Sequence, residues 1–111
     1  MHIGFILTKT PSEEGYNTFI KFLKLYIDTD DISIYLIGNG VYNFRVRNNP
    51  SKDLMEIMNR SKRSLKIYSC RDDLNARGIK VETLLEGVVP FENYDIMVVD
   101  IMENMDQVQT Y

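Results

Sequence analysis

Leu65-Lys66-Ile67-Tyr68-Ser69-Cys70-Arg71-Asp72-Asp73 decides the reading of this chain, because an apolar strand run gives way there to a polar segment closed by Arg77-Gly78. A buried strand followed by a short capped helix is the unit from which open α/β sheets are built. Ligands in such sheets bind outside the carboxyl ends of the strands, where helix N-termini present backbone N–H groups and partial positive charge. Ser69-Cys70-Arg71-Asp72 fits a Ser-x-x-Asp cap, which predicts Cys70 in the first turn of a helix ending at Gly78.

The rest of the chain repeats the pattern. Residues 3–8 are apolar almost without alternation, as a strand covered on both faces requires. Thr10-Pro11-Ser12-Glu13 reads as a capping box that opens a helix, and Tyr16, Phe19, Ile20, Leu23 and Tyr26 or Ile27 recur on its inner face. The acidic turn Asp28–Asp31 ends that helix. Residues 32–37 form a second strand that stops at Gly38-Asn39-Gly40, whose two glycines permit dihedrals a side chain resists. Asn49-Pro50 marks another helix, with Leu54, Ile57 and Met58 inward. Between Ile79 and Asn93 the signal is weak, Val81–Leu85 fitting a helix or a short strand, and Tyr94–Ile101 reads as the last strand. The expected fold is α/β: a three-layer α/β/α sandwich with a mainly parallel sheet of four to five strands, in one domain over residues 1–111.

Composition narrows the function. With 44% hydrophobic and 26% charged residues the chain has the balance of an ordinary globular domain. Apolar runs such as Ile96–Val99 are far too short to span a bilayer, and Met1–Phe5 enters a strand with no secretory signal ahead of it. One cysteine in 111 residues makes no internal disulfide. No membrane partner and a cytoplasmic location are the expectations. The net charge of -3 gives no pull toward nucleic acid. Arg45, Arg47, Lys52, Arg60, Lys62 and Arg63 are interrupted by Asp53 and Glu56, as on a solvated helix face.

Cys70 is the candidate reactive group. A helix N-terminus and the Arg71 cation lower a thiol's pKa, whereas Asp72 and Asp73 raise it, so the sign of the shift is open at this stage. Arg77 lies about 10 Å further along a straight helix, where it complements the helix C-terminus instead. His2 and Cys70 are too few for a zinc site, no phosphate loop is complete, and neither metal nor cofactor is expected. Lys9-Thr10, Gly38–Gly40 and the Ser69 turn could converge on a small anion at the sheet edge. Val41–Phe44 and Val88–Phe91 are more apolar than loops require, which fits subunit contacts or core packing equally.

Cys70 with Arg77-Gly78 at this spacing, and Gly40-Val41-Tyr42-Asn43 after the second strand, resemble the DsrE/DsrF/DsrH-like family, in particular its DsrE and TusD type of sulfur-relay subunit. The resemblance extends from Ile3 to about Ile79. It implies assembly into homo-oligomers, trimers or hexamers, and a persulfide carried on Cys70 between donor and acceptor proteins. A protein of that kind acts as a sulfurtransferase. Ser69, Arg71, Gly40, Tyr42 and Arg77 would shape the site. The charged Arg71-Asp72-Asp73 departs from the small apolar residues usual in TusD-like proteins. Other family members lack the cysteine, which implies the alternative: a scaffold or binding subunit with a buried Cys70 and an anion or partner site at the sheet edge.

Overall fold

The computed structural model describes residues 1–46, 54–56, 59 and 63–111. Five parallel strands form one sheet: β1 (His2–Leu7), β2 (Asp31–Leu36), β3 (Leu65–Cys70), β4 (Val88–Phe91) and β5 (Gln107–Thr110), in the order β4-β3-β2-β1-β5. Helices α1 (Tyr16–Tyr26), α2 (Arg71–Ala76) and α3 (Tyr94–Asn104) accompany it, with 3-10 turns at Gly38–Tyr42 and Val81–Thr83. The expected α/β architecture holds, and every strand pair is parallel.

Strand order explains the layers. From β1 to β4 each crossover steps to the next strand in one direction, so right-handed connections place the intervening helices on one face. The connection from β4 to β5 runs back across the sheet and puts α3 on the other face. Contacts agree: Phe19 of α1 meets Phe5 edge-on with ring centroids 5.7 Å apart. Asp100 of α3 accepts a hydrogen bond from Tyr35, and Met105 lies over Gly4 on the opposite face. Ile3, Phe5, Leu7, Ile32, Ile34, Leu36, Phe19 and Leu23 form the fully covered side of the core.

Three local expectations change. Helix α1 starts at Tyr16 rather than Pro11. Glu13 Oε1 does accept from the Thr10 N–H at 3.1 Å, but Gly15 at φ +95° lies in the left-handed region, so that turn cannot run on into the helix. Tyr94–Ile101 is helical, not a strand. Asn93 Oδ1 caps α3 by accepting from the Ile96 N–H at 3.1 Å, and β5 takes the sheet position beside β1. Of the two glycines after β2, only Gly38 uses a left-handed dihedral (φ +53°). Gly40 is required by close approach, since a Cβ there would stand 1.8 Å from the Leu7 carbonyl oxygen.

Leu54 is helical and buried as expected, while Asn49-Pro50, Ile57 and Met58 lie outside the described residues. So do Arg47, Lys52, Arg60 and Lys62 of the basic candidates; Arg63 stands 3.7 Å from Asp31. Within Val81–Leu85, Val81–Thr83 form the 3-10 turn and Leu84 makes an isolated antiparallel bridge with Arg45.

Candidate functional site

Cys70 is the last residue of β3 and the N-cap of α2. Its register partner on β4 is Phe91, and strand alternation turns it with Tyr68 toward the face that carries α3. The position at the carboxyl edge of the sheet is the one expected. The exposure is not: Cys70 is 1% exposed. Burial pushes the thiol pKa up, and the nearby Asp73 carboxylate adds to the rise. The N–H groups of Asp73 and Asp72 pull it down without reversing the sign, so the bias toward thiolate expected of a helix N-terminus is lost to desolvation. Cys70 is a neutral thiol near pH 7.

The N-cap position of α2 belongs to Cys70 rather than Ser69, with no side-chain capping hydrogen bond. Ser69 points to the opposite face, is fully buried, and its Oγ has no hydrogen-bond partner among the described residues. The hydroxyl therefore stands away from the thiol. Arg71, expected to lend positive charge to the sulfur, turns outward and donates to Glu92 Oε1 at 2.8 Å. Arg77 does what its sequence position predicts at the end of α2. It donates to the Asp73 carbonyl at 3.1 Å, and both Nε and Nη2 reach Asn39 Oδ1 at 3.1 Å.

Asp73 is the residue that organises this edge. Its Oδ2 accepts from the Gly38 N–H at 2.8 Å and from the Tyr94 hydroxyl at 2.6 Å, and Arg77 stands 3.6 Å from Oδ1. Burial alone would raise its pKa, but the bonds from Tyr94 and Gly38, the thiol and the Arg77 charge outweigh burial and hold the carboxyl below its usual value. Tyr94 is pushed up to about 12, chiefly by donating to that carboxylate. The Gly38 N–H, which an external anion at the sheet edge would need, is thus occupied by the protein's own carboxylate. Lys9 meets Asn43 only through its carbonyl, at 2.8 Å from Nδ2. The Gly38 N–H is engaged and the Ser69 hydroxyl is fully buried, so neither is open to an anion from solvent.

Gly40 and Tyr42 belong to the 3-10 turn Gly38–Tyr42 that docks this loop on β1. Val41 and Phe44 are fully buried, which makes them core. Val88–Phe91 is an edge strand with divided roles: Phe91 packs edge-on against Tyr35 at 5.2 Å, whereas Val89 faces solvent. Among the described residues no three His, Cys, Asp or Glu side chains are grouped to hold a metal, and no helix is long and apolar enough to cross a membrane.

Sequence reasoning registered Asp73 only as a charge opposing the thiolate and missed Tyr94. The N3 position of Asp73 in α2 was the available signal. Nothing local pointed to Tyr94, which is 21 residues further on and was read as strand.

A parallel five-stranded sheet with a buried cysteine at the N-cap position of a helix on its carboxyl edge defines an α/β protein. The sequence matches the family described as DsrH like protein over residues 11–107, and the chain belongs to that family. This places it in the DsrE/DsrF/DsrH sulfur-relay group, in the DsrH branch, where the sequence motifs had resembled DsrE and TusD. The uncharacterized protein MJ0989 of Methanocaldococcus jannaschii is 27% identical over 116 residues, covering 100% of both chains. Two solved structures share the fold. The ychN protein of E. coli superposes with TM-score 0.76 at 16% identity, covering 99% of this chain and 97% of its own. The MTH1491 protein of Methanobacterium thermoautotrophicum gives TM-score 0.72 at 19% identity, with the same 99% and 97% coverage.

Proposed function

We propose that this protein is a sulfur-relay subunit that contributes binding surface to its assembly and keeps Cys70 as a neutral, covered thiol. The burial of Cys70 to 1% exposure carries the reading, because sulfur exchange needs both a thiolate and access for the donor. Family membership supplies the relay context. Self-association into trimers or hexamers and contact with sulfur donor and acceptor proteins belong to the same proposal.

A second reading makes Cys70 the carrier, with Ser69, Arg71, Gly40, Tyr42 and Arg77 shaping its surroundings. One observation favours it: the sulfur sits at the carboxyl edge of β3 with the N–H groups of Asp72 and Asp73 directed at it. In that reaction the Cys70 thiolate attacks the outer sulfur of a donor persulfide. A new S–S bond forms at Cys70, the donor S–S bond breaks, and the donor leaves as a thiol carrying the proton of its persulfide. No oxidant is consumed.

Alkylation with iodoacetamide separates the two readings. The scaffold reading expects modification only after denaturation and no mass gain when a low-molecular-weight persulfide is added to the native protein. Native alkylation, together with a gain of one sulfur atom that Cys70→Ser abolishes, overturns it and establishes the carrier.

A further inference from the structure

Helix α3 departs from the pattern of a surface helix. Met97 is buried against the sheet, yet the side of the helix turned away from the sheet carries Ile96, Val98, Val99 and Met102, which are 47%, 45%, 51% and 79% exposed. A helix apolar all round is normally a covered one. Its exposed charges have one sign, because Asp95 and Glu103 share that outer side. From Tyr94 to Tyr111 the chain has four acids, Asp95, Asp100, Glu103 and Asp106, and no lysine, arginine or histidine. The C-terminal end of the helix adds partial negative charge. Along α3 itself lies an open, shallow hollow of about 510 Å³ lined by Ile96, Val99, Asp100 and Glu103 among other residues of the helix.

We propose that the outer face of α3 is a docking surface for a basic amphipathic segment of a different protein chain. Aliphatic side chains of such a segment would cover Val99 and Met102, and its lysines or arginines would meet Asp95 and Glu103. A second copy related by a two-fold axis fits poorly. A two-fold contact sets the same patch against itself and brings these carboxylates together. The inference stands whether or not Cys70 carries sulfur, so its test leaves the thiol untouched.

The full chain is titrated with a fluorescent amphipathic peptide of lysine and leucine, and with its counterpart carrying glutamate for lysine. The lysine peptide binds, and binding weakens severalfold as added salt shortens the screening length from about 30 to about 3 Å. The double substitution Asp95→Asn, Glu103→Gln lowers affinity by up to about tenfold, the scale of two exposed ion pairs. Absence of lysine-peptide binding, or equal binding of the glutamate peptide, overturns the proposal. Val99→Glu supplies a second arm by sedimentation. An unchanged oligomeric state with lost peptide binding supports the proposal, while dissociation of the protein's own oligomer assigns the face to a second copy and overturns it.

Discussion

Replacing Gly40 by alanine tests how the loop after β2 is held against the sheet. The added Cβ would stand 1.8 Å from the Leu7 carbonyl oxygen and 2.7 Å from its carbon, inside the 3.0 Å that Cβ contacts respect, so something must move by about 1.2 Å. Leu7 cannot give easily. It ends β1, a central strand paired on both sides, and its carbonyl accepts from the Ile37 N–H at 3.2 Å. Overpacking against rigid structure costs about 1–3 kcal/mol, and loss of that hydrogen bond about 1 more. The expected destabilisation is on the order of 3 kcal/mol, a fall in Tm of roughly 12 °C at about 4 °C per kcal/mol. Gly38→Ala is the internal control. Nothing lies within 4 Å of its Cβ, and only the left-handed dihedral at φ +53° opposes the substitution, at about 1–2 kcal/mol. Urea denaturation of both variants measures the difference. A smaller loss for Gly40→Ala than for Gly38→Ala refutes the close-approach argument.

Asp73 has a lowered pKa in the folded protein, so it contributes stability above its unfolded value of about 3.9 and loses that contribution as pH falls through the lower folded value. Asp73→Asn should therefore flatten the acid limb of a Tm-against-pH profile; an unchanged limb contradicts the network. Cys70 has a raised pKa, so its contribution is complete below about 8.5 in pH and is lost as pH climbs through the folded value. Cys70→Ala should remove the part of the alkaline decline that begins above the unfolded thiol value of about 8.5, and calorimetry across that range would show it. Phe19→Ala opens a cavity against Phe5 and Tyr111 and should cost about 3–5 kcal/mol in urea denaturation. A loss below about 1 kcal/mol would mean that α1 is not anchored there.

The first three strands were legible because each is an apolar run of a length that fits only a strand buried on both faces. The inner stripe of α1 was legible from spacing alone. Tyr94–Ile101 failed for a physical reason: with Ile96, Val98, Val99 and Met102 exposed on α3, the polar half of the helical period is missing. β4 and β5 are four-residue edge strands, one containing Pro90 and the other Gln107 and Gln109, and such short strands carry little signal. At the site, sequence placed Cys70 at the correct edge but could not sign its pKa. The deciding influence is burial beneath neighbours such as β4, where Phe91 is the register partner of Cys70 and the sequence carries little strand signal.

That burial and the unusual helix have a common origin in topology. Because only the last crossover reverses direction, α3 lies on the face toward which Cys70 points, and Tyr94 at its first turn belongs both to the helix and to the Asp73 network. Whatever docks on α3 acts beside a hydrogen bond that ties the helix to the edge where the thiol sits. The two readings of Cys70 consequently differ in what docking does. A packing cysteine remains protected when the lysine peptide is bound, since added cover only lowers access. A carrier held closed in the free chain reacts faster when the bound peptide draws Tyr94, whose hydroxyl bonds the Asp73 carboxylate beside the thiol, away from that carboxylate. Tyr94→Phe gives the same discrimination without a partner. It removes the hydroxyl that holds the carboxylate while leaving the ring, so native alkylation accelerates in the carrier and stays slow in the scaffold.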